Sequence, residues 1–496
     1  MQPATSTATQ RHGVAPHPRL TPVPASGGGD ADRITDATRH VCAGIYEDRL
    51  FGARVYRLLL DDDHHAVGPG AGVDLRAIAQ HAVAAREFAL REDFAITIAA
   101  AIGLAGLIAE VPLVVFVAAV VVFGVAIYRT WNAQYGARAK LVKRGHFVAD
   151  PLAGRYSRRE QAQLDRIETA QHGNAVVYSG FSPFLGSGIE LSGWSFTVDL
   201  TKGKEDGGGS RLVPQPVEVA AIHRHVDAAL RETGLAGLEL RDYVFVNGRD
   251  IRDDRRFLTD IFEPPTSSLS SEDVDAIVEN PGTKTRHYKC VRIVEWDGEL
   301  VLSAFFRFAL AGTSLFAETS FWLLTPVHDH YRAIDNRADR PTFRQILQLV
   351  GGSAVTAPFL ALFAPFALLE RATGPWRRWR AERALRKQIR EQPLYDYGAR
   401  GSVREMAASG QYSRYFQKLD KEMFYKLTQR AILDALAEYL DAHDIDTSDL
   451  SERRTTIFNS GVIVSGGTVQ TDTMTVGQGA KTFGARLSAR LQPEKK

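Results

Sequence analysis

The chain has 496 residues, 45% of them hydrophobic, and its 60 Lys and Arg nearly balance its 58 Asp and Glu, for a net charge of +2. This composition is typical of a globular protein, and the charge balance excludes a nucleic-acid-binding protein that is held by overall positive charge. The two cysteines, Cys42 and Cys290, exclude a disulfide scaffold and a zinc site built from several cysteines.

The N-terminal part of the chain divides into two regions of different composition. Residues 1–32 are rich in Pro, Ala, Thr, Gly and Ser, which predicts a disordered tail. This tail lacks a basic start followed by an apolar run, so it is not a signal peptide. Residues 33–93 place apolar side chains among charged ones at helical spacing, and we expect a helical N-terminal region there.

Residues 94–128 are apolar, and their single charged residue is Glu110. One helix over all of them would be about 52 Å long, whereas the hydrocarbon core of a bilayer is about 30 Å thick. Proline is tolerated in the first turn of a helix, so two helices joined at Glu110-Val111-Pro112 fit better. The pattern predicts a transmembrane helical hairpin over 94–128, and the alternative is a pair of buried core helices.

The positive charges that flank this hairpin predict its orientation. Five basic residues and no acidic residue lie in the segment that follows Tyr128, whereas the connection between the two helices carries Glu110 alone. Because positive charge concentrates on the cytoplasmic side of membrane proteins, we expect both ends of the hairpin and the bulk of the chain to be cytoplasmic, at the cell membrane.

Residues 150–340 have the pattern of a soluble α+β domain with an antiparallel sheet and helices. A helix is expected at 217–233, and Ser270 has the spacing of a helix N-cap. Asp297-Gly298 predicts the turn between two strands of a three-strand meander. The expected strands are 175–178, 189–200, 238–246, 288–296, 300–308 and 315–324.

A second apolar block, 346–369, contains no charged residue but holds two prolines, Pro358 and Pro365. A single crossing would place the basic segment after it outside the cell, against the usual distribution of positive charge. We therefore predict an apolar membrane-associated or re-entrant segment. The aromatic and basic residues that follow suit the headgroup layer of the bilayer, and we predict a membrane interface at Trp376, Arg377, Arg378, Trp379 and Arg380.

The C-terminal hundred residues form a separate module. Basic and amphipathic helices are expected over 371–450, followed by a Gly/Val-rich, β-prone tail over 456–484. This tail has low charge and no proline, as in segments that add strand to strand. We expect self-association through Val462, Val464, Val476 and Gly477, and the alternative is a flexible tail without a partner.

Motifs that carry chemistry are weak in this sequence. The pairs His223 with His225 and His328 with His330 lack the spacing of a zinc site. The Gly180–Gly188 loop around Ser182 lacks the second glycine of a nucleophile elbow. We therefore predict no catalytic, cofactor-binding or metal-binding residue, and no cofactor.

Four segments carry a resemblance to known proteins: 38–43 (TRHVCA), 177–184 (VYSGFSPF), 287–291 (HYKCV) and the tail from Asp446 to Gly479. In these segments the chain resembles a group of uncharacterised membrane proteins of the actinobacterial type, which implies a bacterial membrane protein and imports no activity. The tail alone loosely resembles bacterial amyloid-signalling and RHIM-like motifs, in which short Val-Gly strands pair across chains. Val476-Gly477 matches that pattern, whereas Thr471 departs from it.

The sequence favours a membrane-anchored, non-enzymatic scaffold or signalling protein with a cytoplasmic α+β domain. Its expected partners are the lipid bilayer and further copies of the chain, bound through the C-terminal tail, and we expect no nucleic-acid partner. Two alternatives remain open: a membrane-bound enzyme with an unrecognised site in residues 170–330, and a membrane-acting effector that is switched by the tail.

Overall fold

The computed structural model describes residues 34–206, 209–280, 282–338 and 340–459. The expected disordered tail at 1–32 and the proposed self-association residues Val462, Val464, Val476 and Gly477 lie outside these described residues. The strands are β1 (Ala175–Tyr178), β2 (Ile189–Asp199), β3 (Leu238–Asn247), β4 (Thr285–Glu295), β5 (Leu300–Ala311) and β6 (Ser314–Leu324). The helices are α1 (Asp36–Glu47), α2 (Arg49–Leu60), α3 (Leu75–Ile108), α4 (Pro112–Gln134), α5 (Ala137–Val142), α6 (Arg158–Gln171), α7 (Val219–Glu232), α8 (Ser271–Glu279), α9 (Asp329–Asn336), α10 (Phe343–Glu391), α11 (Val403–Met406), α12 (Tyr415–Ala442) and α13 (Ser448–Asn459).

The six strands form one sheet in the order β1-β3-β4-β5-β6-β2, and the predicted α+β class is confirmed. The expected antiparallel meander is present as β4, β5 and β6. The sheet is nevertheless mixed, because β1 pairs with β3 in parallel, with Val176 opposite Phe245. Between these two strands the chain passes through β2 and α7, a connection long enough for a parallel pair. The prediction of a wholly antiparallel sheet is therefore wrong at this edge.

The turn between β4 and β5 depends on backbone conformations that favour glycine. Trp296, Asp297 and Gly298 all have positive φ, with values of 56°, 53° and 80°. A Cβ at Gly298 would collide with the carbonyl oxygen of Gly72, so a side chain here is excluded by space as well as by conformation. The Asp-Gly signal in the sequence therefore marks both the turn and its contact with the loop before α3.

Two apolar cores hold the soluble part together. One face of the sheet packs on α7 and α12, where Ile222, Phe306, Phe321 and Leu436 are almost fully buried. The N-terminal helices form a second core with α9 and α11. The chain thus places its N-terminal helices, its sheet and the elements after α10 in one folded region.

Helices α3 and α4 pack against each other and include the first apolar stretch. The helical N-terminal region and the first apolar run are continuous in α3, which has 34 residues. Glu110 has a φ of 58° in the connection, and Pro112 is the first residue of α4, where its missing N–H leaves no hydrogen bond unmade. A Cβ at Gly106 would lie 2.7 Å from Cγ1 of Val114, so this glycine allows the close approach of the two helices.

Helix α10 has 49 residues and contains Pro358, Pro365 and Pro375. It begins at a capping box formed by Thr342 and Gln345, whose side chains each bond the other's backbone N–H. The chain does not reverse direction within this helix, so residues 346–369 are one continuous helical segment. Helix α10 is one uninterrupted helix whose first half is apolar and whose second half is basic.

Candidate membrane-facing site

Three apolar helical segments pack together and form what we call the apolar helix unit: 94–108 of α3, 112–128 of α4 and 346–369 of α10. Small side chains occupy much of its interior, including Ala99, Ala126, Ala357 and Ala364. Its outer surface exposes large apolar side chains, among them Phe94, Ile102, Leu107, Ile108, Leu113, Phe116, Val120, Val355, Phe359, Phe363, Phe366 and Leu369. An exposed apolar surface of this extent marks an interaction with a membrane or with another protein.

Two of the three helices, α4 and α10, are long and apolar enough to cross a membrane. This measure rests on length and composition, and it supports association with a membrane. The outward-facing residues strengthen it, because the core helix of a soluble protein would bury the same side chains.

The predicted interface residues lie on α10 immediately after the apolar helix unit. Trp376 and Trp379 are 57% and 51% exposed, and Arg377, Arg378 and Arg380 are exposed beside them. The guanidinium of Arg380 lies 4.8 Å from the centre of the Trp376 ring. The structure therefore places all five residues on one exposed turn-and-a-half of helix, at the end of the apolar segment.

A cavity of about 780 Å³ lies where the apolar helix unit meets the soluble region, between α10 and helices α1 to α5. We call it the arginine cavity. Its lining includes eight arginines and three acidic residues. The arginines are Arg49, Arg57, Arg86, Arg129, Arg138, Arg371, Arg377 and Arg378, and the acidic residues are Asp61, Glu92 and Glu370.

Two buried carboxylates lie on the last turn of α3 before its apolar segment: Glu92 lines this cavity, and Asp93 lies behind it and pairs with arginines of the lining. Glu92 is 6% exposed and pairs with Arg138, with Arg129 at 3.8 Å. Asp93 is 1% exposed and pairs with Arg49, while Arg371 lies at 4.0 Å. Four arginines thus share two carboxylates, which leaves positive charge in excess. Nη1 of Arg371 is buried and has no hydrogen-bond partner among the described residues.

The remaining walls of the arginine cavity combine free cations with apolar surface. Arg57 and Arg377 are exposed and have no carboxylate within ion-pair distance in the described part of the chain. Arg86 stacks its guanidinium 4.3 Å from the centre of the Tyr56 ring. On the α10 side, Leu360, Phe363, Ala364 and Ala367 line the cavity. The cavity therefore combines arginines from α2 to α5 and from the basic half of α10 with an apolar patch on the apolar half of α10.

Sequence reasoning missed the arginine cavity because its residues come from six helices, and α10 is far from the other five in the chain. The arginines that flank each apolar run are visible in the sequence, where they indicate the orientation of the helices but not that they meet in one cavity. A signal was present in Glu92-Asp93, two adjacent acids at the entrance to an apolar run, because such acids need buried cationic partners.

A second cluster of ionisable groups ties α1 to the sheet and to α9. Nδ1 of His40 lies 2.5 Å from the Glu299 carboxylate, Nε2 of His40 lies 2.9 Å from the Asp335 carboxylate, and Arg39 donates two hydrogen bonds to Asp335. Burial disfavours the charged imidazole, but the hydrogen bonds to Asp335 and Glu299 outweigh it and raise the pKa of His40. Burial opposes ionisation of Asp335 as well, but His40 and Arg39 together hold the pKa of its carboxyl well below its usual range.

A third cluster lies under α7 on one face of the sheet. His287 bonds Asp242 at 2.8 Å, and Lys289 bridges Asp242 and Asp227 at 2.9 Å each. His223 packs against His287, and burial lowers the pKa of His223 to about 3. A neutral imidazole without hydrogen-bond partners among the described residues is a packed core residue.

The weak motifs of the sequence have structural roles in the described residues. No group of three or more potential metal ligands occurs there, and His223 and His225 do not converge on one point. In the loop after α2, His64 and His65 are buried and contact Glu382 and Asp62. The Gly180–Gly188 loop is held by the Glu405 carboxylate, which accepts the backbone N–H of Gly186 at 2.8 Å and of Gly188 at 2.9 Å.

Comparison with protein-family models gives one match. The model described as an AbeC-like domain matches residues 193–470, more than half of the chain. The chain belongs to the AbeC-like domain family. Comparisons with curated proteins and with solved structures find no significant match.

The AbeC-like match begins within β2 and continues through β6, α10, α12 and α13. It includes the whole of α10, both its apolar and its basic half. Helices α1 to α6 precede the matched residues, so the AbeC-like region provides one wall of the arginine cavity and the preceding helices provide the others.

Proposed function

We propose that this AbeC-like chain is a membrane-anchored, non-enzymatic scaffold or signalling protein at the cytoplasmic face of the cell membrane. The anchor is a transmembrane helical hairpin, α3 with α4, and the apolar half of α10 beside it. The observation that carries this proposal is the outer surface of the apolar helix unit, which exposes large apolar side chains from all three helices. Burying each of them in an apolar medium contributes roughly 1.5–3 kcal/mol.

The covalent connection to α10 supports a one-sided anchor. Arg337 pairs with Glu47 in the soluble region, and Phe343 follows it by six residues. Six residues reach about 21 Å when fully extended, less than the hydrocarbon core of about 30 Å. The other end of α10 is also bound to the soluble region, where Ile389 is fully buried and Arg252 donates to its carbonyl at 2.6 Å.

Both ends of α10 therefore belong on the same side of the bilayer. A non-helical return segment through lipid would leave its backbone N–H and C=O groups unsatisfied. We propose that α10 enters the bilayer obliquely from the cytoplasmic side, with Trp376 and Trp379 in the headgroup layer. This arrangement also keeps the basic half of α10 cytoplasmic, in agreement with the distribution of positive charge.

The scaffold role is favoured over an enzyme because the ionisable groups in residues 170–330 pair with one another instead of facing a large cavity. Asp242, His287 and Lys289 neutralise one another along the sheet. A cavity beside β1 and β3 has a volume of about 50 Å³, far below the roughly 300–1,000 Å³ typical of ligand pockets. A membrane-bound enzyme and a membrane-acting effector remain the competing proposals.

The resemblance to actinobacterial membrane proteins and the RHIM-like character of the tail belong to this proposal as well. Helix α13 ends at Asn459, and the residues of the proposed self-association site follow it in the sequence. Self-association through Val462, Val464, Val476 and Gly477 stays a prediction, and it would bring several anchored copies together on one membrane.

Carbonate extraction of membranes from cells that express the full chain tests the anchor. We expect the protein to stay in the membrane pellet at high pH, because apolar contacts hold it there. The double variant Val117→Arg with Val121→Arg places two charges on outward-facing positions of α4, each costing roughly 2.5–3.5 kcal/mol in the hydrocarbon core. It should move to the soluble fraction or fail to accumulate.

The matched control is Val213→Arg, at a side chain that is 84% exposed and lies outside the apolar helix unit. This variant should pellet like the unchanged protein. Release of the unchanged chain by carbonate as a soluble dimer would overturn the anchor, and would mean that a second copy covers the apolar surface.

A further inference from the structure

We propose that the arginine cavity binds the phosphate headgroup of an anionic phospholipid, with an acyl chain against Leu360, Phe363 and Ala367. This inference rests on the proposed anchor, because the apolar helix unit brings the cavity to the level of the lipid headgroups. The anchor could form without this site. The inference adds that the site binds one class of lipid, the anionic phospholipids.

The charge of the cavity points to an anion. Eight arginines and three acidic residues line it, and Asp93, which pairs with two of these arginines, adds a fourth negative charge, so positive charges exceed negative ones by four. The two buried carboxylates, Glu92 and Asp93, are each approached by two arginines. Buried charges need partners, and a bound phosphate supplies the negative charge that this group of arginines lacks.

The hydrogen-bonding capacity of the site points to a phosphate. Arginine presents a planar fork of N–H donors that binds phosphate oxygens in pairs. Nη1 of Arg371 is buried without a hydrogen-bond partner among the described residues, and Arg371 lines the cavity. Arg57 and Arg377 lie exposed at the mouth, where they can contact an anion as it enters.

The apolar patch that α10 contributes to the cavity wall distinguishes a lipid from a free phosphate. Leu360, Phe363, Ala364 and Ala367 continue from the cavity into the exposed apolar surface of α10. A soluble phosphate would leave this wall in contact with water, whereas an acyl chain covers it. The volume of about 780 Å³ accommodates a headgroup with the first part of its acyl chains.

Native mass spectrometry of the full chain in dodecyl maltoside tests the proposal. The protein is mixed with dioleoylphosphatidylglycerol, with dioleoylphosphatidylcholine, or with glycerol 3-phosphate. We expect one phosphatidylglycerol molecule to stay bound, with at least about tenfold preference over phosphatidylcholine. We expect glycerol 3-phosphate neither to be retained nor to displace the lipid.

The variant Arg57→Gln with Arg377→Gln removes two cations from the mouth without breaking a described ion pair. It should weaken phosphatidylglycerol retention by about 25-fold, since each arginine beside an anionic lipid contributes roughly a factor of five. The matched control, Arg224→Gln with Arg231→Gln, makes the same charge change on exposed positions of α7 that neither line the cavity nor belong to the predicted membrane interface, and it should retain the lipid like the unchanged chain.

Three results would overturn the proposal: equal loss in both variants, no preference for phosphatidylglycerol, or displacement by glycerol 3-phosphate, which would make the ligand a soluble phosphoester. A failure of the cavity is distinguishable from a failure of the anchor. Protein that resists carbonate but shows no lipid preference leaves the anchor standing. Protein that retains phosphatidylglycerol but is released by carbonate leaves the cavity standing.

Discussion

Individual buried polar residues join elements that are distant in the sequence. Arg404 is fully buried, and its Nη2 donates to the carbonyl oxygens of Gly298, Glu299 and Thr325. The side chain of Glu299 bonds His40 and also accepts the backbone N–H of Val327 at 2.7 Å. Two charged side chains therefore fix the turn between β4 and β5. Arg404 binds its backbone carbonyls, and Glu299 binds the side chain of His40 and the backbone of Val327.

The linkage of His40 to folding predicts a pH-dependent stability. Since its pKa is raised above the ordinary value of 6.5, His40 stabilises the folded state below about pH 6.5 and loses this contribution as the pH rises through its folded pKa. Asp335 has a lowered pKa, so its contribution is present above its ordinary value of 3.8 and is lost as the pH falls further. The network is strongest between these two limits.

Replacing His40 by Gln should therefore destabilise the chain most at mildly acidic pH. We expect a loss of about 3 kcal/mol near pH 5.5, as for a buried ion pair that loses one partner, and a smaller loss near pH 9. Thermal unfolding of the unchanged chain and of the variant at both pH values measures this difference. His172→Gln, at an exposed imidazole, is the control, and a loss for His40→Gln that does not change with pH would contradict the prediction.

At the residue scale, sequence reasoning identified turn and cap positions but not the charged networks. Ser270 caps α8 by accepting the backbone N–H of Asp273, as its spacing predicted. A cap is a local interaction over three residues, so the sequence contains all of it. The partners of His40 come from residues 299 and 335, and only the folded chain brings them together.

At the element scale, the sequence predicts which segments form helices and strands better than it predicts how those elements pair and which of their side chains are buried. The strands from 288 to 324 and the helix at 217–233 have strong alternation or helical spacing, and both occur close to the expected bounds. β1 was expected, but its parallel partner was not, because pairing between distant strands has no local signal. In α12, Leu433, Leu436 and Leu440 are buried as the amphipathic pattern predicts, whereas Phe416, Leu419, Met423 and Leu427 are exposed.

The close packing of α3 on α4 predicts a specific cross-link. A Cβ at Gly103 would lie 3.0 Å from Cβ of Ala118, close to the separation of about 3.5–4.5 Å across a disulfide. Gly103→Cys with Ala118→Cys should therefore form a disulfide in isolated membranes after mild oxidation. To detect it, the chain is cleaved between the two helices and run on a non-reducing gel, where the disulfide keeps the two fragments together and changes their mobility.

The control for this cross-link pairs Gly103→Cys with Gly124→Cys, because a Cβ at Gly124 would meet no atom within 4 Å. The chain's own Cys42 and Cys290 are buried and unpaired, so they do not compete. Equal cross-linking of both pairs would mean that the two helices move against each other, and it would contradict the packing of the apolar helix unit.

At the scale of the whole molecule, the soluble region and the apolar helix unit are joined through α3, α4 and α10 rather than through a flexible linker. Helix α3 begins in the N-terminal core, where Leu75 and Ile78 are fully buried, and continues without interruption into its apolar segment. Helix α10 links the two parts a second time. Because these connections are helical, the soluble region is held at a fixed orientation to the apolar helix unit, and the arginine cavity lies at this junction.

The short connection between Arg337 and Phe343 makes the topology of the anchor testable at two positions. Thr342 and Glu110 are both exposed, the first before α10 and the second between α3 and α4. If the hairpin crosses the bilayer and α10 does not, a cysteine at position 110 faces the outside and a cysteine at position 342 faces the cytoplasm. The apolar arms of the hairpin are about 22–27 Å long, which a locally thinned bilayer accommodates.

Labelling with a membrane-impermeant maleimide separates these cases. In intact cells we expect Glu110→Cys to react and Thr342→Cys to react only after the membrane is permeabilised. Arg224→Cys, on the exposed face of α7, is the cytoplasmic control and should behave like Thr342→Cys. Reaction of Thr342→Cys in intact cells would place the start of α10 outside, and the ion pair between Arg337 and Glu47 could not then form in the membrane-bound protein, because six residues cannot cross the hydrocarbon core.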